Sequence, residues 1–324
     1  RKKDGRQGFM EELFSGIPSS GEWVSVTPIS KGWSEDSKYL IQTRSGEKLL
    51  LRLSGEDTLQ EKRKEYEFIS IVSSLGFPSS RPIAFGQNER GEVYSLLSWV
   101  SGRDLEEVLP SLSEKEQYLK GREAGIILRK IHSIPLKKEH RVEDTKAKKL
   151  RQLSRYENSG VRLKGDEDAL AYVKNNIDEI CRVAPVYQHG DFHPGNLIYM
   201  DGGRIGVIDF NRWRVGDPYE EFYKLQSFGR EISVPYSVGE IDGYFDGRIP
   251  EEFWKGLAVY VAHASLYSIK WAEKFGKKEM DGMRRRVEIA KEDYDDYRRS
   301  IPRWYSNDMA EKYGEGMESH LIFQ

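Results

Sequence analysis

His189-Gly190-Asp191-Phe192-His193-Pro194-Gly195-Asn196 and then Ile208-Asp209-Phe210 bring two acids, an amide and two imidazoles into the span 189–209. Around Asp201-Gly202-Gly203 lie two short apolar runs, Leu197-Ile198-Tyr199 and Ile205-Gly206-Val207-Ile208, the pattern of a hairpin with a glycine turn. Such a hairpin carries Asn196 in on one side and returns Asp209 near it on the other. A carboxylate and an amide held close suit a hard divalent cation such as Mg2+, which takes oxygen ligands and keeps several waters. Asp191 heads the same loop, where it can face a metal-bound substrate as a base. Metal clamps plus a positioned acid are what phosphoryl transfer asks for.

The remaining chain bounds this reading. It has 324 residues, enough for one large domain or two lobes. With 51 basic and 53 acidic residues the net charge is -2, so no global field draws nucleic acid or an anionic membrane. Cys181 is the single cysteine, which excludes internal disulfides and a cysteine-built zinc site and points to a reducing cytoplasm. The most apolar helix candidate, near Gly256 to Trp271, contains His263, Ser265, Ser268 and Lys270 and is too polar to span a bilayer. No signal peptide is visible. The chain opens on Arg1 rather than Met, so the expectation is either a truncated start or a remnant of added sequence. Arg1 to Arg6 is expected to be a disordered basic tip rather than a nucleic-acid arm.

Residues from about 22 to 53 alternate and turn like a small antiparallel sheet. Val24, Val26, Tyr39, Ile41, Leu49, Leu51 and Leu53 supply its apolar face, with a turn at Ser45-Gly46. The loop Ser30 to Lys38 is small and polar, suited to cradling phosphates or simply to closing a hairpin. Arg52 interrupts an apolar strand and wants an anion, either phosphate or carboxylate. A helix from Glu56 to Leu75, ended by Gly76 and Pro78, carries Glu65, which either pairs with Arg52 and orients it for a nucleotide or is a solvated helix glutamate beside a surface strand arginine. Two further strands end in Ser98-Trp99-Val100-Ser101-Gly102, where composition turns helical. The boundary falls there, giving domains 1–100 and 101–324. The backbone of such a connector can offer a donor and an acceptor to a purine edge. Ser113 with Glu116 forms a capping box for a helix to Ile131. Helices are also expected over Asp166 to Val183, from Tyr219, over Glu251 to Phe275 and over Met280 to Arg299.

The chain resembles the aminoglycoside phosphotransferase family, within the larger group of protein-kinase-like folds. The resemblance rests on His189 to Asn196, Ile208-Asp209-Phe210 and Gly216-Asp217-Pro218, with weaker support from Lys31-Gly32-Trp33-Ser34, Arg52, Glu65 and Leu97 to Gly102. It implies an α+β, two-lobed fold with a small antiparallel-sheet N-terminal lobe and a larger, mostly helical C-terminal lobe. It also implies a kinase that moves the γ-phosphate of ATP or GTP to a hydroxyl of a small polar acceptor. Asp191 would orient or deprotonate that hydroxyl. Asn196 and Asp209 would hold Mg2+, and Arg52 with Glu65 would contact the phosphates. Nucleotide grip would come from Ser34 or Ser37 and from the connector residues Ser98 and Val100. Two departures stand out: arginine replaces the usual kinase lysine at Arg52, and the phosphate loop lacks a Gly-x-Gly-x-x-Gly pattern.

The acceptor is read from the segment after Asp209. Between Val215 and Glu252 nine acids face three bases. Asp217, Glu220 and Glu221, with Tyr219 to stack on a sugar, are candidates for an acidic pocket that draws a cationic acceptor such as an aminoglycoside, with antibiotic resistance as the corresponding role. The competing reading is a set of solvated helix faces, with Asp217 as a helix cap. A metabolic acceptor such as choline, a sugar or an amino alcohol is the alternative substrate, and a non-catalytic nucleotide-binding scaffold is the alternative class.

Overall fold

The computed structural model describes residues 12–314 apart from Trp33. Arg1 to Arg6 lies outside them. The chain divides into two compact units, Arg1–Gly102 with Ile198–Asn211, and Arg103–Leu197 with Arg212–Gln324. A single cut in the sequence does not anticipate that 198–211 groups with the first unit.

The first unit holds β1 (Trp23–Ile29), β2 (Ser37–Thr43), β3 (Lys48–Ser54), α1 (Leu59–Val72), β4 (Pro82–Gln87) and β5 (Val93–Ser98). After a short strand at Arg103–Asp104 and a helical turn at Leu105–Val108, the second holds α2 (Glu114–His132), α3 (Thr145–Glu157), α4 (Glu167–Asn176) and β6 (Val186–Gln188). Next in the chain is the hairpin of β7 (Leu197–Tyr199) and β8 (Ile205–Val207), which groups with the first unit from Ile198 on, and the second unit resumes with β9 (Arg214–Gly216), α5 (Val234–Phe245), α6 (Glu251–Ala272) and α7 (Lys277–Asp293). This is the α+β composition expected. No helix among the described residues is long and apolar enough to cross a membrane.

In the first unit β1 to β5 form one antiparallel sheet in the order β1-β2-β3-β5-β4. The period of two puts Leu49, Leu51 and Leu53 of β3 on the core face, packed with Leu13, Phe14, Ile41, Tyr94 and Leu96. The same alternation turns Arg52 to the other face. One expectation fails here: Val24 is 59% exposed rather than part of the apolar face. The register of β1 against β2 shifts between Trp23 and Ser25, a bulge that breaks the alternation at Val24. The helix expected from Glu56 is regular only from Leu59, after a 3-10 turn at Glu56–Thr58.

The second unit is built on the pair α2 and α5. The capping box of α2 is present in full, with Glu116 N–H donating to Ser113 Oγ and Ser113 N–H donating to Glu116. The two helices approach through glycines spaced by four. A Cβ at Gly121 or Gly125 would stand 2.1 Å from the Tyr236 or Glu240 carbonyl oxygen, and one at Gly239 or Gly243 would stand 2.2 Å from that of Tyr118 or Arg122. No residue larger than glycine fits at these four positions without parting the backbones.

That contact seals Glu240 inside. Its Oε1 accepts from the Tyr236 hydroxyl at 2.8 Å, and Oε2 has no partner among the described residues. Burial, helped by the Glu221 charge and opposed by the Tyr236 bond, raises this carboxyl to about 8. Between the unfolded value of 4.5 and about 8 the folded chain keeps a proton that the unfolded chain releases. Stability from this group is therefore complete below 4.5 and is lost as pH climbs through 8. Glu240→Gln removes the titrating group. The melting temperature of the wild type is expected to fall more steeply between pH 5 and 9 than that of the variant, by roughly 1 kcal/mol of extra stability per pH unit within the window. Parallel melting curves would refute the assignment.

Candidate active site

Each unit carries one ionic centre. In the first, Arg52 lies opposite Lys38 of β2 and Ser95 of β5. Its Nε donates to Asp36 Oδ2 at 3.2 Å, Nη1 to Asp209 Oδ1 at 3.1 Å and Nη2 to Ser34 Oγ at 3.3 Å. Burial pulls the guanidinium down, but Asp209, Glu65 and Asp36 outweigh it and raise its pKa. The predicted direct pair of Arg52 with Glu65 is corrected. Glu65 is buried on α1 and takes Lys62 Nζ at 3.5 Å, one helical turn earlier, while Lys62 also reaches Asp36 at 2.7 Å. Arg52 feels Glu65 only through space, because Asp36 and Asp209 occupy its fork.

Asp36, Lys38 and Lys62 were not anticipated as members of this centre. The spacing of Lys62 and Glu65 on one helix face was the available signal. Asp36 gave none, because its partners lie 16 and 26 positions away. Burial lowers the Lys38 ammonium despite the nearby charges of Asp209 and Asp36.

Asp209 sits two residues past β8 with φ of 64°, an uncommon conformation for a side-chain-bearing residue. Phe210 after it packs edge-on against Phe68 of α1, with ring centroids 5.9 Å apart. The turn behaves as predicted: Gly202 and Gly203 both take positive φ, near 85° (84° and 86°), and β7 and β8 flank them. Ser34 Oγ also accepts from the Asp36 N–H at 3.1 Å, whereas Ser37 is exposed at the start of β2. Ser98 Oγ accepts from the Arg81 N–H at 2.7 Å. Ser98 and Val100 line a cavity of about 250 Å³ with Phe77, Pro78, Ser79 and Trp99.

The second centre is the loop from His189 to Asn196. Gly190 has φ of 86°, and a Cβ there would stand 1.9 Å from the Arg212 carbonyl oxygen, so only glycine fits. His189 is fully buried and its Nδ1 accepts from the Asp191 N–H at 3.1 Å, which makes it a brace. His193 Nδ1 accepts from the Gly195 N–H at 3.1 Å, and its ring stacks on Phe228 at 5.2 Å.

Asp191 is thereby aimed and charged. Its Oδ2 and its carbonyl oxygen each accept from Asn196 Nδ2 at 2.9 Å. Its Oδ1 lies 3.0 Å from Lys224 Nζ and 3.4 Å from His193 Nε2. Burial pushes the carboxyl up, but the His193 and Lys224 contacts outweigh it and hold it well below the usual carboxylate range. Asn196 spends its amide nitrogen on Asp191, and its other polar atom is an amide oxygen, the kind of atom a hard cation takes. Lys224 was not foreseen, since its helical turn is distant in sequence from Asp191 and carries no motif.

The candidates for an acidic acceptor pocket do not form one. Asp217 is 3% exposed, caps Tyr219 N–H at 3.1 Å and accepts from Cys181 N–H at 2.8 Å. Glu220 is 1% exposed between Lys149 at 3.0 Å and Arg214. Glu221 accepts from His189 N–H at 2.9 Å and Gly190 N–H at 2.7 Å and meets His132 at 2.8 Å. Tyr219 packs against Phe253 and Phe245. Buried carboxylates need partners, and these have found them inside the second unit. Glu221 in particular holds the backbone that precedes Asp191.

Among the described residues no three His, Cys, Asp or Glu side chains converge on a metal position. A family model described as phosphotransferase enzyme family matches residues 25–254. No curated protein sequence matches the chain. Solved structures match its fold at low identity. One is the GDP and kanamycin complex of APH(2″)-IIIa, with a TM-score of 0.69 and 15% identity over 90% of this chain and 98% of that one. Another is a ternary complex of APH(4)-Ia with ADP and hygromycin B, with a TM-score of 0.66 and 16% identity over 89% and 98%. A third is the streptomycin–ATP–APH(2″)-IIa complex, with a TM-score of 0.64 and 17% identity over 88% and 97%.

Proposed function

The chain belongs to the phosphotransferase enzyme family, and from that premise we propose that it moves the γ-phosphoryl group of a nucleoside triphosphate to a hydroxyl of a small polar acceptor. The observation that carries this is Asp191, ionised and fixed by Asn196 and Lys224 on a loop braced from below by His189 and Glu221. Asp191 orients the acceptor hydroxyl and takes its proton. The hydroxyl oxygen forms the new bond to the γ-phosphorus, the bond to the bridging oxygen breaks, and the nucleoside diphosphate leaves.

Asn196 and Asp209 are the residues that would hold Mg2+. An amide oxygen and a carboxylate fit a hard cation that keeps waters and phosphate oxygens in its shell. When bound, the ion neutralises charge on the transferring phosphate. Arg52, with Lys38 beside it and Glu65 in its field, contacts the other phosphates. Arginine serves here through its fork, since three separate acceptors already use it. Ser34 and Ser37 on the phosphate loop, and the connector at Ser98 and Val100, bind the remainder of ATP or GTP. The fold's likeness to structures described with GDP, ADP and ATP supports a nucleotide donor.

The same likeness supports an aminoglycoside as acceptor, with resistance as the role. A metabolic acceptor is the second reading. It is favoured by the burial of Asp217, Glu220 and Glu221, which removes the acidic pocket that a polycation would need. The test is release of nucleoside diphosphate from ATP and from GTP with a panel of hydroxyl acceptors. Release is expected only with a true acceptor and only with Mg2+, so that a chelator abolishes it. Release that ignores both acceptor and chelator would sink the proposal.

A further inference from the structure

Two of the side chains near Asp191, Lys224 and Arg212, are cationic, and this bears on what the acceptor carries. Lys224 is helical, between the 3-10 turn Pro218–Phe222 and the π-helical turn Leu225–Gly229. Its ammonium is 3.0 Å from Asp191 Oδ1, and its side chain is 11% exposed. It stands 5.2 Å from the Tyr223 ring centroid and 5.3 Å from that of Phe228, the ring on which His193 also stacks. An ammonium has three donors, and one carboxylate oxygen uses one of them.

Arg212 adds a second positive charge. Its backbone packs on Gly190, the residue before Asp191, and its charge is felt at Lys224. It makes no ion pair among the described residues. Arg286 stands over Phe228 at 4.7 Å, but Glu231 at 3.1 Å holds its charge. Asp191 therefore offsets one of two neighbouring cations.

Tyr223 reports the resulting field. Burial pushes its phenol up, yet Lys224, Lys149 and Arg214 outweigh burial and hold it below the usual tyrosine value. Glu220, also near it, does not reverse this. A cationic acceptor brought to Asp191 would meet this positive field, and an anionic one would be drawn in.

We propose that the acceptor carries an anionic group, a carboxylate or a phosphate ester, close to the hydroxyl that is phosphorylated, and that Lys224 and Arg212 bind it. This rests on the phosphotransfer reading above for Asp191 as the group that faces the acceptor. Lys224 shares its donors between Asp191 and the anion and so sets the hydroxyl beside the carboxylate. Arg212 supplies a fork that matches carboxylate or phosphate oxygens.

The test is direct binding to the full chain by calorimetry near neutral pH and at low ionic strength, with gluconate, glycerol 2-phosphate and kanamycin as probes. At least one anion is expected to bind, and Lys224→Met and Arg212→Gln are each expected to weaken it about tenfold or more. Arg212→Gln changes a side chain that is not fully buried, so it remains informative if Lys224→Met fails to fold. Binding of kanamycin alone, binding of neither anion, or anion binding that both variants retain would overturn the inference. Turnover separates this idea from the one beneath it. Phosphorylated kanamycin leaves phosphotransfer standing and removes the anionic acceptor. Anion binding that both variants lose, with no product from any acceptor, supports the anion site and removes phosphotransfer.

Discussion

Asp191→Asn is expected to lower acceptor-dependent phosphoryl transfer by on the order of 10²- to 10⁴-fold while nucleotide affinity stays nearly unchanged. The substitution keeps the shape of the side chain and removes its charge and its capacity to take a proton. An amide oxygen can still accept one bond from Asn196, so the loop keeps part of its geometry. Lys224 loses its counter-charge and becomes a poorly solvated cation, which lowers stability and must be separated from catalysis by a melting curve on the same preparation. The nucleotide affinity is spared because the residues proposed to grip phosphates, Arg52 and Lys38, belong to the first ionic centre. Asp191→Ala should lose as much activity and also the Asn196 bond. Turnover in either variant within a few-fold of the wild type would mean that another group receives the hydroxyl proton.

Arg52→Met is expected to act on stability and on nucleotide binding together. Asp36 and Glu65 each have side chains only 7% exposed, and Asp209 is 23% exposed. Arg52 bonds two of them and stabilises the third through space. Removing one partner of a buried ionic group costs about 3–5 kcal/mol, because the charges left behind stay desolvated. Lys62 and Lys38 remain and soften the loss at Asp36. Arg52→Lys returns the charge without the fork. A single ammonium cannot reproduce bonds to Asp36, Asp209 and Ser34 at once. The lysine variant is thus expected to fall between wild type and Arg52→Met in denaturant midpoint, and to bind nucleotide about tenfold or more weakly than wild type. Equal midpoints for wild type and Arg52→Met would show that the carboxylates are satisfied without the guanidinium.

The parts of the fold that could be read from the sequence were the local ones. The Asp201-Gly202-Gly203 turn, the Ser113 and Glu116 capping box and the braced loop of His189 all depend on residues within a few positions of one another. Their chemistry is visible in a short window. The alternation of β3 also announced that Arg52 would face away from the leucine core. The bulge at Val24 was not legible, because nothing in Trp23-Val24-Ser25 marks a register shift that β2 imposes. The charges were hardest to read. The acidic run after Val215 can be counted from the sequence, and Asp217 caps a helical turn as one of its readings has it, but the burial of Glu220 and Glu221 depends on Lys149, Arg214 and His132, which pair with them from distant parts of the chain. The count says how many charges there are, and only the fold says which of them are already neutralised. Lys224 illustrates the converse. A lone lysine in an acidic segment reads as solvated, and here it is buried against Asp191.

The most direct test of the central claim is the mass of the acceptor after incubation with Mg–ATP or Mg–GTP. Wild type and Asp191→Asn should be compared on cationic, neutral and anionic hydroxyl compounds. The account predicts that the wild type yields an acceptor heavier by one phosphoryl group, with one nucleoside diphosphate released per product, and that Asp191→Asn yields almost none. Nucleotide consumed with no phosphorylated acceptor, or equal product from both proteins, would contradict it.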